Sequence, residues 1–288
     1  MPWAFARLEL DDFDVVISTS SAFSKNVRVR KGAVNVCYCH TPPRYLWDLW
    51  DDYRRRIPGS RLLWPVISWL RRKDLEAARR VSRFVANSHF VAERIERLYG
   101  RTADVVYPPV DLNRIALATQ PPGDFYLVVA RLVGYKRIDL AVQACTALGR
   151  RLVVVGRGSQ REQLEKIAGP TVEFRGELGD AEVVGLLRSC RAFLFPGIED
   201  FGIAPVEAQA AGRPVIAFAQ GGALETVVDG VTGLFFHAQT ASALADAILA
   251  FEAREFDPAA CRRNAERFDA SVFRERIRTV VASAIASG

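Results

Sequence analysis

The sequence predicts an α/β protein in which two parallel sheets are each covered by helices on both faces. Two observations carry this prediction. Short, continuous apolar runs alternate with segments of helical periodicity along the whole chain, which is typical of strands buried on both faces. A turn-rich break, Pro121-Pro122-Gly123, then indicates a linker between two doubly wound, Rossmann-like halves.

Short segments with an apolar, β-rich composition are predicted to be strands. Before the break they cover residues 14–18, 34–39, 83–87 and 103–107. After it they cover residues 125–130, 151–156, 172–175, 192–196, 214–219 and 233–236. The predicted strands are short and are separated by helical segments, as parallel sheets require.

Helical periodicity predicts the connecting helices of the second half at residues 136–148, 160–168, 181–189, 205–211 and 241–251. A last helix is predicted at residues 271–286, and it could pack back on the first half. We therefore expect a first domain over residues 1–118, a second over 119–270 and a C-terminal helical segment over 271–288.

The composition and net charge limit the class of protein and the kinds of partner that are plausible. A chain of 288 residues, half hydrophobic and a quarter charged, is ordinary for globular domains and unlike disordered proteins. The net charge of +6 favours an anionic partner such as nucleotide phosphates or lipid head groups. Nucleic acid also fits that sign, but no nucleic-acid-binding motif accompanies the charge.

The sequence also favours a cytoplasmic location. The five cysteines lack zinc-site spacing and are interpreted as buried thiols, which weakly favours a reducing compartment. The first residues lack the cationic start and apolar centre of a signal peptide. No stretch approaches the roughly 20 apolar residues of a membrane span.

Two cations flank the first loop of the second half. Arg131 and Lys136 lie between the strand that ends near Ala130 and the next helix. Because a helix N-terminus attracts anions, cations beside it could neutralise a diphosphate. Two solvated charges at an element boundary are an equally good interpretation of this motif alone.

Glycine-rich turns follow two further strands. Gly156 and Gly158 lie in one of them, and Gly221 and Gly222 in the other. Glycine allows a ligand to approach the backbone closely, although a plain tight turn explains either pair.

Two carboxylates surround the loop of PGIEDFGIAPVEAQ. Gly202 and Pro205 predict a loop that leads into a helix with Pro at its first position. Glu207 would then lie in the first turn, where a carboxylate suits the helix dipole. That account leaves Glu199 unexplained. Since carboxylates accept hydrogen bonds from adjacent hydroxyls, the pair could hold a sugar and a ribose.

Two features of the first half have competing interpretations. His40 follows a predicted strand and could carry a proton near neutral pH, although a capping or packing role is the more common use. The segment from Trp47 to Arg80 mixes tryptophan, leucine and arginine. It could lie at a membrane surface or form core-facing helices with cationic outer faces.

Taken in order, the motifs of the second half resemble the donor half of retaining GT-B glycosyltransferases of group 1 (family 4). They are similar to mannosyltransferases of polysaccharide and O-antigen assembly in the segments ARLVGYKRID, VVVGRGSQREQLE, VEFRGEL, FLFPGIEDFGIAPVEAQAAGRPVIA and GGALETVVDGVTGLFF. The first half resembles the acceptor half of the same subgroup in CYCHTPPRYLWDLWDDY, FVANSHFVAERIERLYG and VVYPPVDLNRI.

The resemblance implies transfer of a hexose, with mannose from GDP-mannose expected, to a lipid-linked or polysaccharide acceptor with retention of configuration. It implies no metal or other cofactor. Arg131 and Lys136 would hold the donor diphosphate, Glu199 the transferred sugar and Glu207 the ribose. His40 would lie on the acceptor side.

The same resemblance implies that the backbone after Phe201 contacts the donor. Its residues Gly202, Ile203 and Ala204 would lie near the sugar and phosphates. Acceptors of this kind are made at the cytoplasmic face of the membrane, so peripheral attachment there would suit the basic, tryptophan-bearing first half.

The beginning of the chain departs from the family pattern. Such chains normally open with a strand and a glycine-rich loop, which this sequence lacks. We therefore expect a truncated first domain with an exposed sheet edge. The alternative function is a non-catalytic nucleotide-sugar-binding remnant or partner subunit.

Overall fold

The computed structural model describes residues 2–48, 50 and 60–287. The chain folds into two compact units. The first comprises Met1–Tyr107 and Phe273–Gly288, and the second comprises Pro108–Val272.

The first unit contains a parallel sheet of four strands in sequence order: β1 (Val15–Ser20), β2 (Val34–Cys39), β3 (Arg83–Ala86) and β4 (Ala103–Val105). Its described helices in the N-terminal segment are α1 (Pro2–Phe5), α2 (Trp64–Arg80) and α3 (His89–Tyr99). Single-turn 3₁₀ helices cover Ser24–Asn26 and Ser60–Leu63.

Strand β2 is buried along its whole length, which explains why its sequence is apolar apart from Asn35. Cys37 and Cys39 pack against residues of α2 and α3 on one face. Val36 and Tyr38 pack on the other face against apolar residues of the C-terminal helix, including Phe273. The helix expected at residues 271–286 thus covers one face of the first sheet, and from Phe273 onward it belongs to the same unit as that sheet.

A buried polar cluster joins the elements around β1. Lys25 forms an ion pair with Asp74 of α2, and both side chains are almost completely buried. The second carboxylate oxygen of Asp74 accepts hydrogen bonds from Trp47 Nε1 at 3.0 Å and the Tyr99 hydroxyl at 2.8 Å. Because each charge has partners, the cluster avoids the cost of an unpaired buried ion.

The second unit contains a six-stranded parallel sheet in the order β10-β9-β8-β5-β6-β7. Its strands are β5 (Phe125–Val129), β6 (Arg151–Val155), β7 (Val172–Gly176), β8 (Ala192–Phe195), β9 (Val215–Phe218) and β10 (Gly233–Phe236). Its helices are α4 (Ile138–Leu148), α5 (Arg161–Ile167), α6 (Asp180–Ser189), α7 (Ile203–Ala210), α8 (Ala223–Thr226), α9 (Ala241–Glu252) and α10 (Pro258–Glu266). Single-turn 3₁₀ helices cover Leu112–Arg114 and Gly134–Lys136, and the last helix of the chain is α11 (Ala270–Ala286).

The strand order places a topological switch point between β5 and β8. The chain adds β6 and β7 on one side of β5 and then returns to place β8 on the other side. Connections therefore leave β5 and β8 in opposite directions, which opens a crevice beyond their carboxyl ends. Ligands of open α/β sheets bind in such crevices.

The segment that we expected to end the first domain belongs to the second unit. The Val110 N–H donates to the carbonyl of Phe268 at 2.9 Å, and the Ala118 N–H donates to that of Ala211 at 3.1 Å. Arg262 donates to the Ile115 carbonyl at 2.6 Å. These bonds tie residues 110–118 to α10 and to the segments that follow α7 and α10, so the division falls at Tyr107 rather than at residue 118.

Each predicted strand corresponds to an observed strand within two residues at either end. Helix α7 differs from its prediction, because it begins at Ile203 rather than with Pro205 at its first position. Proline fits anywhere in the first turn of a helix, since the N–H groups there have no intrahelical partner. Pro205 therefore correctly predicted the first turn of α7, but the helix begins two residues earlier than predicted.

Candidate functional site

Lys136 and Glu199 form an ion pair at the switch point. Lys136 ends the 3₁₀ turn after β5, and Glu199 lies in the loop after β8. Both side chains are mostly buried, so solvent screens their attraction only in part. The structure thus brings together two predicted site residues that lie more than sixty positions apart in the sequence.

Gly197 allows the two loops to approach each other. A Cβ atom on Gly197 would lie 2.8 Å from the Cα atom of Lys136, closer than real contacts allow. Gln239 fastens the same region, because its Nε2 donates to the Pro196 carbonyl at 3.0 Å while its Oε1 accepts from Arg137 at 3.3 Å. Close backbone packing at Gly197 and the hydrogen bonds of Gln239 therefore hold the loops of Lys136 and Glu199 together.

Arg131 lies in the same loop as Lys136 and is exposed. Its Nη2 donates to the Tyr135 hydroxyl at 3.2 Å. The Lys136 ammonium lies 5.6 Å from the centroid of the Tyr135 ring, in cation–π contact. Tyr135 thus connects the two predicted phosphate-binding cations, a role that sequence reasoning missed because an aromatic residue in a loop carries no specific signal.

Glu207 lies in the second turn of α7, because the helix begins at Ile203. The prediction that it occupies the first turn is wrong, and helix-dipole stabilisation does not account for it. The side chain is 16% exposed and forms an ion pair with Arg114. Burial raises the pKa of Glu207 above its ordinary value, and the charge of Arg114 opposes that rise.

The glycine pairs in the turns are explained by contacts between backbone segments. A Cβ atom on Gly156 or Gly158 would overlap the carbonyl of Ala130 or of Leu132. A Cβ atom on Gly222 would lie 2.3 Å from the Cα atom of Phe201.

Gly221 and Gly222 support the loop that carries Glu199. Gly221 has a φ of +68°, and a Cβ atom there would lie 2.5 Å from the Glu199 carbonyl oxygen. The Gly222 N–H donates to the same oxygen at 2.9 Å. The turn after β9 therefore positions the segment between β8 and α7.

The loop that precedes α7 is also held by packing. The Phe201 ring is buried against Phe268, with centroids 5.3 Å apart. Gly202 has a φ of +93°, and a Cβ atom there would lie 2.7 Å from the Phe195 ring. Ile203 is exposed and Ala204 half-buried at the start of the helix. This backbone is thus presented at the carboxyl edge of the sheet by a buried aromatic anchor.

His40 belongs to the first unit and follows directly after β2. Its backbone N–H donates to the Ser20 carbonyl at 2.8 Å, which extends the pairing with β1. The exposed imidazole meets the Tyr38 ring edge to face, with centroids 5.2 Å apart. The carboxyl end of β2 therefore presents His40 to solvent within its own unit.

The tryptophan-rich and arginine-rich segment lies partly outside the described residues, which omit 49 and 51–59. The described part carries several exposed apolar side chains: Leu62, Leu63, Trp64, Val66 and Trp69. Arg71 lies over the rings of Trp47 and Trp64, at 5.1 and 5.4 Å from their centroids. Asp74 and Ala78 of the same helix are buried, so α2 has one core-facing side and one exposed apolar side.

The described residues contain neither a membrane-spanning helix nor a cluster of metal ligands. Within 2–48, 50 and 60–287, no helix combines the length and hydropathy needed to cross a membrane. In the same ranges, no group of three or more His, Cys, Asp or Glu residues is placed to hold a metal ion.

The second unit therefore presents two kinds of binding group at its switch point. Arg131 and Lys136 offer cations that suit a polyanion. Glu199 and Glu207 offer carboxylate oxygens that accept hydrogen bonds from hydroxyl groups. This combination suits a ligand that carries both phosphate and polyol parts.

Comparison with protein families identifies both parts of the chain. The profile of the family described as "Glycosyl transferases group 1" matches residues 111–268, more than half of the sequence. The profile of "Glycosyltransferase Family 4" matches residues 1–114.

Curated relatives share modest identity. A phosphatidyl-myo-inositol mannosyltransferase of Mycobacterium leprae is 37% identical over 147 residues, which cover 48% of this chain and 39% of that protein. An alpha-1,3/1,6-mannosyltransferase of Mus musculus is 27% identical over 264 residues, which cover 77% of this chain and 61% of that protein. The matched regions thus span between about two fifths and three fifths of these relatives.

Solved structures match the fold. Anabaena Alr3699/HepE, in complex with UDP and glucose, superposes with a TM-score of 0.70 at 20% identity, covering 87% of this chain and 72% of that one. Sucrose-phosphate synthase from Thermosynechococcus elongatus superposes with a TM-score of 0.74 at 19% identity, covering 96% and 74%. The likenesses confirm the predicted α/β fold with parallel sheets in two Rossmann-like halves.

Proposed function

Because this chain belongs to the glycosyl transferases of group 1, we propose that it transfers a hexose from a nucleotide diphosphate sugar to a lipid-linked or polysaccharide acceptor. The sugar–phosphate bond breaks and the nucleoside diphosphate leaves, while the oxygen of an acceptor hydroxyl forms the new glycosidic bond and gives up its proton to the departing phosphate. The observation that carries the proposal is the pairing of Lys136 with Glu199 at the switch point, with Arg131 in the same loop.

The donor proposed is GDP-mannose, and the transfer is proposed to retain the anomeric configuration. Mannosyltransferases among the curated relatives support mannose. The complex of Alr3699/HepE with UDP and glucose supports a nucleotide-sugar donor in general. Other relatives are inositol phosphate glycosyltransferases rather than mannosyltransferases. The identity of the transferred sugar is therefore the first property to test.

Arg131 and Lys136 are proposed to bind the donor diphosphate. Charge develops on the phosphate oxygens as the sugar departs, and preorganised cations stabilise it without reorganisation. Tyr135, between them, would keep both cations directed at the same group. These two charges would take the place of a divalent cation, so the reaction is proposed to need no metal or other cofactor.

The carboxylates are proposed to bind the two polyol parts of the donor. Glu199 would accept hydrogen bonds from hydroxyls of the transferred sugar, and Glu207 from those of the ribose. The backbone of Gly202, Ile203 and Ala204 would lie near the sugar and phosphates. Close packing of Gly221 and Gly222 against residues 199–201 would hold this surface in place, and the turn at Gly156 would border it.

The first unit is proposed to receive the acceptor. His40 would serve near the reacting sugar, at the carboxyl end of β2. The exposed apolar side of α2, at Trp64, Val66 and Trp69, together with Leu62 in the turn before it, supports peripheral attachment to the inner face of the cytoplasmic membrane, where lipid-linked acceptors are assembled. Aromatic and cationic side chains together favour the bilayer interface.

The experiment is a transfer assay on Lys136→Ala and Glu199→Ala with GDP-, UDP- and ADP-linked hexoses. Removing one preorganised charge-stabilising group lowers kcat by about 10²–10³ in comparable sites, and we expect losses of that order. A preference for GDP-mannose in the unaltered chain would support the proposed donor.

Arg151→Ala is the matched control. Arg151 forms an exposed ion pair with Asp124 at the opposite, amino edge of the sheet, so its loss should leave transfer unchanged. Unaltered transfer by Lys136→Ala and Glu199→Ala would refute the site. Nucleotide binding measured by calorimetry without any turnover would instead support the alternative of a non-catalytic nucleotide-sugar-binding protein.

A further inference from the structure

We propose that Arg114 is a positioning residue of the donor site, which fixes the carboxylate of Glu207 so that its free oxygen receives the ribose hydroxyls. This inference rests on the proposed function, because it assigns Arg114 to the ribose end of the same site. Arg114 would act through Glu207 and would not itself contact the reacting atoms.

The contact between the two side chains is direct. Nη2 of Arg114 donates to Oε1 of Glu207, across ninety-three positions of the sequence. Arg114 is 32% exposed at its side chain, whereas Glu207 is mostly buried. A charge-assisted bond of this kind is stronger and more directional than one between neutral groups.

The backbone holds Arg114 in place. It ends the 3₁₀ turn Leu112–Arg114, whose start is capped by the Asp111 carboxylate accepting from the Asn113 N–H. Arg262 donates to the carbonyls of Leu112 and Ile115, which lie on either side of Arg114 in the sequence, at 3.3 and 2.6 Å. The backbone on both sides of Arg114 is therefore held by hydrogen bonds to Arg262, with Arg114 facing α7.

Arg262 also fixes the segment relative to the helix that carries Glu207. The same guanidinium donates to the Ala210 carbonyl at the end of α7, at 3.0 Å. The Ala118 N–H donates to the carbonyl of Ala211, the next residue along. The distance between Arg114 and Glu207 is thus set by these backbone anchors as well as by their own attraction.

The charges around Glu207 favour this role. Besides Arg114, Asp180 at the start of α6 acts on Glu207 and raises its pKa. Asp180 itself lies 3.2 Å from Nη1 of Arg114 and is highly exposed. Arg114 therefore opposes the effects of burial and of the neighbouring negative charge, and it favours the ionised form of the carboxylate.

The geometry leaves capacity for a ligand. An ionised carboxylate has two oxygens with about four acceptor sites. Arg114 uses Oε1, and Oε2 can accept from the adjacent 2′- and 3′-hydroxyls of a ribose. A carboxylate that is already oriented binds at a lower entropic cost than a mobile one.

The test compares binding of GDP and 2′,3′-dideoxy-GDP, and of the matching UDP pair, to the full chain by calorimetry. The unaltered chain should prefer the ribose form. Arg114→Ala and Glu207→Gln should each weaken binding of the ribose form by about tenfold or more and remove most of this preference. The double variant should bind no more weakly than Glu207→Gln alone, since both changes remove one interaction.

Two further variants separate positioning from folding. Arg114→Lys keeps the charge and should restore part of the ribose preference, while Arg151→Ala, at the opposite edge of the sheet, should leave it intact. A general loosening of the segment would weaken both nucleotide forms equally, which would refute the inference. Unchanged or tighter GDP binding by Arg114→Ala would also refute it, and in the latter case Arg114 would compete with the ribose.

Failure of the proposed function gives a different result. If the unaltered chain binds neither GDP nor UDP, the donor site itself is wrong and the role of Arg114 fails with it. If the unaltered chain prefers the ribose forms and Arg114→Ala keeps that preference, only the role of Arg114 is wrong.

Discussion

Glu207 occupies a position where burial makes a charged carboxylate costly. Its pKa is raised above the ordinary 4.5, chiefly because it is removed from solvent, and Arg114 counters only part of that effect. Since the folded state disfavours the ionised form relative to the unfolded chain, the carboxylate destabilises the fold at neutral pH. Such a cost is expected where a residue is retained for ligand binding.

We predict that Glu207→Gln stabilises the ligand-free chain at pH 7–8. Between the ordinary pKa of 4.5 and the higher pKa of the folded state, the folded chain binds more protons than the unfolded chain. The free energy of unfolding of the unaltered chain therefore falls as pH rises through this window. Urea unfolding from pH 4 to pH 8 measures the effect.

The amide variant lacks this titration, so its advantage should shrink as pH falls and vanish once Glu207 is protonated. Glu173→Gln is a suitable control, because Glu173 has a lowered pKa from its exposed pairing with Arg175. A Glu207→Gln variant that is less stable than the unaltered chain at pH 8 would show that the pair with Arg114 outweighs the cost of burial.

At the scale of elements, the turns of the second sheet are shaped by close backbone contacts. Gly222 is the N-cap residue of α8 and has an ordinary φ of −62°, so the requirement for glycine at this position is purely steric. The loop from Glu199 to Phe201 occupies the space that a Cβ atom on Gly222 would need. The turn after β9 therefore determines where the carboxylate of Glu199 lies.

We predict that Gly222→Ala destabilises the chain by about 1–3 kcal/mol, the usual cost of overpacking, and lowers nucleotide binding. The new Cβ would lie 2.3 Å from the Phe201 Cα, so the segment that carries Glu199 must shift. Urea unfolding measures the first effect and calorimetry with GDP the second.

Gly185→Ala is the matched control for this change. Gly185 lies inside α6, and a Cβ atom added there would meet open space, with no neighbouring element within 4 Å. Alanine there should stabilise the chain by about 0.5–1 kcal/mol through helix propensity. Equal effects of the two substitutions would contradict the steric account of Gly222.

At the scale of the whole molecule, both units are parallel α/β structures like those of GT-B glycosyltransferases. The chain carries a net charge of +6, and α2 of the first unit, with the turn before it, exposes apolar side chains including Leu62 and Trp64, which are 84% and 49% exposed. The proposed attachment to the membrane would use both properties, because charge attracts basic proteins to anionic bilayers and apolar insertion retains them.

We predict that the chain co-sediments with vesicles containing phosphatidylglycerol and less so with phosphatidylcholine vesicles. Raising the salt concentration should weaken the binding, because screening shortens the reach of surface charge. The double change Trp64→Ser and Trp69→Ser should reduce vesicle binding about tenfold or more, because interfacial tryptophans supply much of the retention.

Leu249→Ser is the control for vesicle binding, since Leu249 is similarly exposed but lies on α9 of the second unit. It should leave sedimentation unchanged. Equal binding to both lipid compositions, or no loss with the tryptophan changes, would contradict membrane attachment through α2.

The sequence by itself determined the strands, the helices of the second half and the parallel α/β class. Apolar periodicity is a local property, and buried parallel strands such as β2 carry it strongly. It also singled out Arg131, Lys136 and Glu199, which lie in loops after apolar strands, and Glu207, which lies in the helix that follows the second of these loops.

Only the tertiary structure decided how these residues are paired. Strand order places the loops after β5 and β8 side by side, and nothing in the sequence states that order. The ion-pair partner of Glu207 is Arg114, which lies in a segment that the sequence analysis assigned to the first domain. Side-chain partners across such separations depend on how helices pack and which loops meet, so they follow from the fold as a whole.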